Sequence, residues 1–239
     1  MNKKKLKILA VIPARGGSKG VPRKNLYNLK DKPLIYYSIK SAIESKLITR
    51  HVVSTDDLEI KRVSESYGAN VPFIRPKKLS TDNALAIPTI QHAVRYCEKK
   101  YDEKYDYIIM LQPTAPLRNS CDIDTALAQL IAHKDAESII SVVDVDNFHP
   151  AKMKIISDNF LIDFQKSNIE NPPRQSLMPV FIVNGAIYAT KRNVFMNDNT
   201  FKGDFCIPFI MPREKSVNID NFEDFLVAEF MIEKHDIII

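Results

Sequence analysis

A rhythm constrains this chain more than any single motif. Between residues 6 and 143, short apolar runs alternate with stretches whose apolar residues recur at helical spacing. LKILAVIP at 6–13 is apolar, of strand length and ended by proline, so it reads as a buried strand. Beyond a polar loop, Pro33 stands where a helix can begin, and Leu34, Ile35, Ile39, Ala42 and Ile43 follow at helical spacing. Strands are expected next at 51–55, 71–74, 105–111 and 138–143. Between them, Asp56 with Glu59 reads as a capping box opening one helix, a second runs from 84 to 100, and a third covers 121–133. Strands fed by helices in this way pair in parallel through right-handed crossovers. The expected fold is therefore α/β, a doubly wound parallel sheet with helices on both faces. The rhythm breaks after Val145: 147–183 is interrupted by prolines and reads as an excursion from the sheet. Residues 184–189 return to strand, and Asp220 with Glu223 opens a last helix.

Composition removes several classes of function. The 239 residues suit one large domain, or one with a small appendage. Lys3, Lys4, Lys5 and Lys7 supply most of the net charge of +5, so the body carries no nucleic-acid footprint. The apolar runs at 107–111 and 139–143 are too short to cross a bilayer, and no secretory pattern follows the opening lysines. Cys97, Cys121 and Cys206 are far apart and in no CxxC pattern, which fits a reducing cytoplasm. The five histidines have no zinc spacing. A cytoplasmic protein without nucleic-acid or membrane partners is expected.

Ligands of open α/β sheets bind beyond the carboxyl ends of the strands, which points to 14–25, 54–57, 75–83, 112–118 and 144–152. The first of these is the sharpest. AVIPARGGSKGVPRKN at 10–25 follows a strand with adjacent glycines and four cations, Arg15, Lys19, Arg23 and Lys24. Glycines let successive backbone N–H groups approach an anion, and the cations add charge and donors. The spacing is neither GxGxxG nor GxxxxGK[ST], so a dinucleotide fold, a P-loop and a Walker-type kinase or NTPase are all poor fits. The plainer alternative is a glycine-eased turn with solvated cations.

The opening motif resembles that of the N-acylneuraminate cytidylyltransferases, whose relatives make CMP-legionaminate and CMP-pseudaminate. VSTDD at 53–57, RP at 75–76, LSTD at 79–82, LQPTAPLR at 111–118, PPRQ at 172–175, NGAIY at 184–188 and SVNID at 216–220 resemble family segments in the family's order. The resemblance implies a Rossmann-like, mostly parallel sheet of the nucleotidyltransferase type over 1–146 and 184–239, with 147–183 as an inserted dimerisation subdomain. A homodimer follows, and Phe148, Phe160, Phe164 and Phe181 in the excursion are aromatics that often bury against a partner. They could instead cover the parent sheet. The implied reaction joins CTP and a nonulosonic acid into a CMP-sugar and diphosphate, by attack of the anomeric hydroxyl on the α-phosphate. Such a site needs preorganised positive charge and in-line positioning.

By the same resemblance, Arg15, Gly16, Gly17, Ser18, Lys19, Lys24 and Asn25 hold the CTP phosphates and ribose, with Lys24 neutralising the departing diphosphate and Arg15 and Asp220 joining it in catalysis. Arg75, Ser80, Thr81 and Asp82 frame the nucleotide; their other readings are a solvated arginine and an ordinary helix cap. Gln112, Thr114, Arg118, Lys152, Arg174, Gln175, Asn184 and Tyr188 resemble the sugar-site residues, and arginine suits the substrate carboxylate through paired hydrogen bonds. Against this, Tyr188 also reads as a sheet aromatic, Asn184 as a turn residue and Arg118 as a cation leading a helix.

The metal position departs from the family. Two aspartates near Mg²⁺ are usual at SVDID, whereas this chain has Asn218 and Asp220. Residues two apart on a strand face the same way, so Asp220 and the Asn218 carbonyl could still share one ion. Asp220 is alternatively the cap of the last helix. Two further readings stay open: a cytidylyltransferase for the eight-carbon acid KDO, whose opening ARxxSxRLPGKP this chain lacks, and a non-catalytic nucleotide binder with a weakened metal pair.

Overall fold

The structure, a computed structural model, describes residues 5–165, 173–235 and 237. In chain order the elements are β1 (Ile8–Pro13), β2 (Asn28–Leu29), β3 (Lys32–Pro33), α1 (Leu34–Glu44), β4 (Arg50–Ser54), α2 (Leu58–Ser66), α3 (Ala86–Tyr101) and β5 (Tyr107–Met110). They continue as α4 (Ser120–Ala132), β6 (Ser138–Asp144), β7 (Lys154–Ser157), β8 (Phe160–Asp163), β9 (Phe181–Lys191), α5 (Arg192–Asn197), β10 (Cys206–Ile210) and α6 (Phe222–Lys234). Six strands form the central sheet in the order β10-β6-β9-β5-β1-β4. All neighbours are parallel except β9, which runs antiparallel between β5 and β6. The doubly wound, mostly parallel α/β sheet expected from the rhythm is the fold observed.

The central strands are apolar on both faces because both faces are covered. Ile8, Ala10 and Ile12 of β1 pack with α1, α2 and α4, while Leu9 and Val11 pack with α3 and α5. A third, smaller cluster holds α6 to the rest. In it Ile219 and Phe225 bury against Val21, Leu29, Leu34 and Leu117. Burying Ile219 completely stabilises by about 2 kcal/mol, and it fixes the segment that leads into α6. At the amino ends of the strands, Glu103 accepts from Lys7, Arg50 and Tyr105, tying β1, β4 and β5 together.

Several local expectations shift. Residues 71–74 form no ladder; two backbone bonds, Val53 N–H to Asn70 O and Arg75 N–H to Thr55 O, merely lay that segment beside β4. The cap of α2 is Asp57, which accepts from the Glu59 and Ile60 amides, not Asp56. The cap of α6 is Asn221, closing a box with Asp224, so Asp220 is released from capping. In each case the side chain one residue later has the reach to N2 or N3. The excursion contains the β7–β8 hairpin, whose side chains are all exposed.

Candidate active site

The loop after β1 is held at two of its glycines and open at a third. Gly16 donates its amide to Asp56 Oδ1 at 3.1 Å, and a Cβ there would stand 2.8 Å from Asp57 Oδ2. A Cβ on Gly20 would meet the backbone oxygen of Asp220 at 2.1 Å, so only glycine allows that approach. At Gly17 a Cβ would have no neighbour within 4 Å. Nothing in the protein itself requires a glycine there. Asn25 is buried and braces the loop from beneath, donating to the Arg15 carbonyl at 2.9 Å.

The four cations divide into two kinds. Arg23, in the left-handed region at φ 56°, clamps Asp57 with both terminal nitrogens and reaches Glu59. That bond holds the Asp57 carboxyl below the usual carboxylate range. Arg23 is thus committed to the start of α2. The other three face a cavity of about 520 Å³ at the carboxyl ends of β1 and β5. Arg15 donates to Thr81 O at 3.0 Å and lies 3.2 Å from Asp82, and Lys19 is also 3.2 Å from Asp82. Lys24, only 13% exposed, donates to Ile219 O at 2.7 Å and sits 3.2 Å from Asp220 Oδ1. Ser18 completes this side of the lining.

Opposite them is Arg75, 5% exposed. It donates one weak bond to Leu79 O at 3.4 Å and lies 3.8 Å from Asp56, while Nε and Nη2 have no hydrogen-bond partner. Burial, partly offset by Asp56, lowers its pKa. A buried guanidinium with donors to spare is costly unless an acceptor arrives. Ser80, Thr81 and Asp82 form the neighbouring turn, and they do not cap α3, whose N-cap is Leu85. Thr89 of α3 and Gly20 also line the cavity. Gly20 was legible in the glycine loop, but a helical Thr89 carries no signal in the sequence.

Gln112, Pro113 and Thr114 make the floor. The Thr114 carbonyl accepts the Ile219 amide at 2.7 Å, which places the SVNID segment against the floor. Gly185, at φ +80°, lets two carboxamides converge: a Cβ there would stand 2.8 Å from Gln112 Oε1 and 3.4 Å from Asn218 Oδ1. The Asn218 amide donates to Asp220 Oδ2 at 2.9 Å.

Two of the expected sugar contacts, Arg118 and Asn184, are corrected. Arg118 is 0% exposed; it donates to Ala115 O, Ala186 O and Ser38 Oγ at 3.1, 3.0 and 2.7 Å. Burial lowers its pKa to about 10, so it stays charged and works as a brace between α1, the 112–118 loop and β9. Asn184 is buried, accepting from Ser141 Oγ and donating to Ser216 Oγ, with no group left for a ligand. Tyr188 packs its ring on Phe201 with the α3-side core, 5.9 Å between centroids. Lys152 and Gln175 are exposed and do not line the cavity. The Arg174 side chain, like Pro172 of the same motif, lies outside the described residues. Beside the floor, a second cavity of about 440 Å³ is lined by Asn218, Phe148, Met153, Ile182, Val227 and Met231, among others.

As a metal position, Asp220 is 72% exposed at the cavity mouth, one carboxylate with an amide beside it. Mg²⁺ is commonly held by one or two carboxylates plus substrate phosphates, so this donor set fits. Among the described residues no cluster of three or more His, Cys, Asp or Glu could hold a metal without a substrate.

Comparison with known proteins places this geometry in context. A cytidylyltransferase family model matches residues 9–229. The N-acylneuraminate cytidylyltransferase of Escherichia coli O18:K1:H7 is 32% identical over 222 residues, covering 93% of this chain but 51% of its own length. This chain therefore spans about half of that relative. The pseudaminic acid cytidylyltransferase of Campylobacter jejuni is 31% identical, with 95% and 96% covered. The CMP-N,N'-diacetyllegionaminic acid synthase of Legionella pneumophila is 32% identical, with 95% and 97% covered. Among solved structures, a CMP:2-keto-3-deoxy-manno-octonic acid synthetase complexed with CTP aligns at TM-score 0.67 and 17% identity, over 96% of this chain and 99% of its own. At that identity the likeness concerns the fold alone.

Proposed function

This chain belongs to the cytidylyltransferase family, and from that premise we propose that it transfers CMP from CTP to the anomeric hydroxyl of a nonulosonic acid, releasing diphosphate. The observation that carries the reading is the cavity itself: three cations and a buried, underused guanidinium surround a space of about 520 Å³ beyond the strand ends. That is a setting for a polyanion, and the relatives' names say which one.

The division of labour follows from the contacts. The triphosphate lies beside Ser18 and Gly20, within reach of Arg15, Lys19 and Lys24; Gly16 and Gly17 do not line the cavity. Lys24, partly desolvated and anchored on the Ile219 carbonyl, meets the charge that develops on the leaving diphosphate. Arg75 and the 80–82 turn frame the nucleoside, and Gln112 and Thr114 present the sugar. The hydroxyl oxygen bonds to the α-phosphorus as the bond to diphosphate breaks, and its proton is given up to water. Asp220, with the Asn218 carbonyl oxygen, would hold Mg²⁺, which when bound neutralises phosphate charge. The exposed hairpin and α6 point to a homodimer: Ile156, Phe160 and Leu161 are 77%, 73% and 69% exposed, as is Leu226 of α6 at 67%. Free cysteines accord with a cytoplasmic enzyme drawing on CTP.

Diphosphate release with CTP and N-acetylneuraminic, legionaminic and pseudaminic acids in turn tests the reading, with ATP, GTP and UTP as nucleotide controls. Release with CTP and at least one acid is expected. No release with any of the three acids would overturn it.

A further inference from the structure

A further cavity, of about 420 Å³, lies on the outer side of α3 and has no part in the chemistry above. Lys78 approaches it from the turn before α3. His92, Arg95 and Lys99 share one face of the helix, with Leu79 and Tyr96 as apolar walls. No Asp or Glu lines it, and among the described residues Lys78, Arg95 and Lys99 have no carboxylate within ion-pair distance. Arg95 and Lys99 are four residues apart, a like-charge spacing that works against the helix. The His92 ring stands edge-on to Phe73, and its Nδ1 is buried without a hydrogen-bond partner. Burial, together with Arg75, Arg95 and Lys78, lowers the pKa of that ring.

A groove lined by cations, with no carboxylate among its walls, favours an anion. Three cations suit a dianion better than a single carboxylate, and a guanidinium pairs two phosphate oxygens at once. The volume and the Leu79 and Tyr96 walls leave room for an organic part. The basic surface is one pocket rather than a stripe, which disfavours a nucleic-acid strand.

We propose that this groove binds a small phosphate monoester and that its occupant is coupled to CTP through a wall the two cavities share. The Leu79 carbonyl accepts from Arg75 Nη1 at 3.4 Å and from Thr89 Oγ1 at 3.3 Å. Arg75 and Thr89 line the active cavity, whereas Leu79 lines the groove. A ligand that fixes the 77–79 turn therefore fixes Arg75, and by linkage CTP returns the same effect. The coupling rests on the proposed CTP site; binding in the groove does not.

The test uses NMR of the histidine rings in the intact protein, titrated with inorganic phosphate or glycerol phosphate against sodium chloride at matched ionic strength. Saturable shifts at His92 are expected, with His51, His133, His149 and His235 as unmoved references. Arg95→Glu with Lys99→Glu should abolish saturation, and Lys78→Ala should weaken it. Saturating glycerol phosphate should change KM for CTP at least twofold in the wild type but not in the double variant, whose basal kcat/KM is unchanged. Shifts that are linear and equal to those with chloride mean an adventitious ion only, and overturn the site. Saturation at His92 with no change in KM overturns the coupling. Inactivity with every sugar acid defeats the function above while the NMR result still decides the groove.

Discussion

Replacing Gly20 by alanine would set a methyl carbon 2.1 Å from the backbone oxygen of Asp220. Packed carbon and oxygen need about 1 Å more than that. Both sides of the contact are backbone, so no rotamer relieves it. The 14–25 loop or the segment at 219–220 must move, and Ile219 is anchored by its burial and by the Thr114 carbonyl. Overpacking of this kind costs about 1–3 kcal/mol, a fall in Tm of roughly 5 °C for a chain of this size. The functional cost is larger, because Lys24 and Asp220, now 3.2 Å apart, are carried on the two displaced segments. A misplacement of about 1 Å is worth on the order of 100-fold in kcat/KM. Gly17→Ala is the matched control: with no atom within 4 Å it should leave Tm unchanged. Thermal unfolding and steady-state diphosphate release measure both. Wild-type Tm and turnover in Gly20→Ala, or a destabilised Gly17→Ala, would refute the reasoning.

Arg118→Met should strip donors from the Ala115 and Ala186 carbonyls and lower stability by about 3 kcal/mol, without a selective rise in KM for the sugar acid; thermal unfolding and kinetics at a permissive temperature check this. The Lys7 bond, against burial and aided by Tyr105 and Arg50, pulls the Glu103 carboxyl down to about 2 from an ordinary 4.5. A depressed carboxyl stabilises fully above its unfolded pKa and loses that contribution as pH falls through the folded one. Glu103→Gln should therefore cost most near neutrality and progressively less as pH falls from about 4.5 through 2, measured as denaturation midpoints across that window. Asp220→Ala should abolish or sharply weaken Mg²⁺-dependent turnover, and Asn218→Asp should preserve or raise it, as a Mg²⁺ titration of each variant will show. Phe160→Glu with Leu161→Glu on the exposed hairpin should shift the protein to monomer in sedimentation without unfolding it.

Legibility in the sequence followed how local each cause was. β1, α1, α3, β5 and α4 could be read because apolar spacing is a local property. The antiparallel sense of β9 could not, since NGAIY reads alike in either direction and tertiary pairing with β5 and β6 decides it. Both capping errors chose the first of two adjacent polar residues, Asp56 over Asp57 and Asp220 over Asn221; cap geometry, absent from the sequence, selects the second. Within the site, Arg15, Lys19, Lys24, Arg75, Gln112 and Thr114 do meet around one cavity. Arg118 and Asn184 share motifs with such residues yet are buried, because a motif records which positions matter and not whether they touch ligand or hold what does.

The same distinction explains why four cations in one loop are not equivalent. Arg15 and Lys19 share Asp82, which is half exposed, and Lys24 meets an Asp220 that is more exposed still. Exposed pairs of this kind are worth at most about 1 kcal/mol. They hold long side chains over the cavity by weak bonds, so the polyphosphate proposed above would meet cations that no strong bond ties down. Arg23 is different: its fork lies on Asp57, which is also the α2 cap, so moving it would leave a capping carboxylate without its cation. Asp82 and Asp220 are thus loosely engaged acids, whereas Asp57 is structure. The acid opposite each cation, more than the cation itself, decides which of the four is free to act.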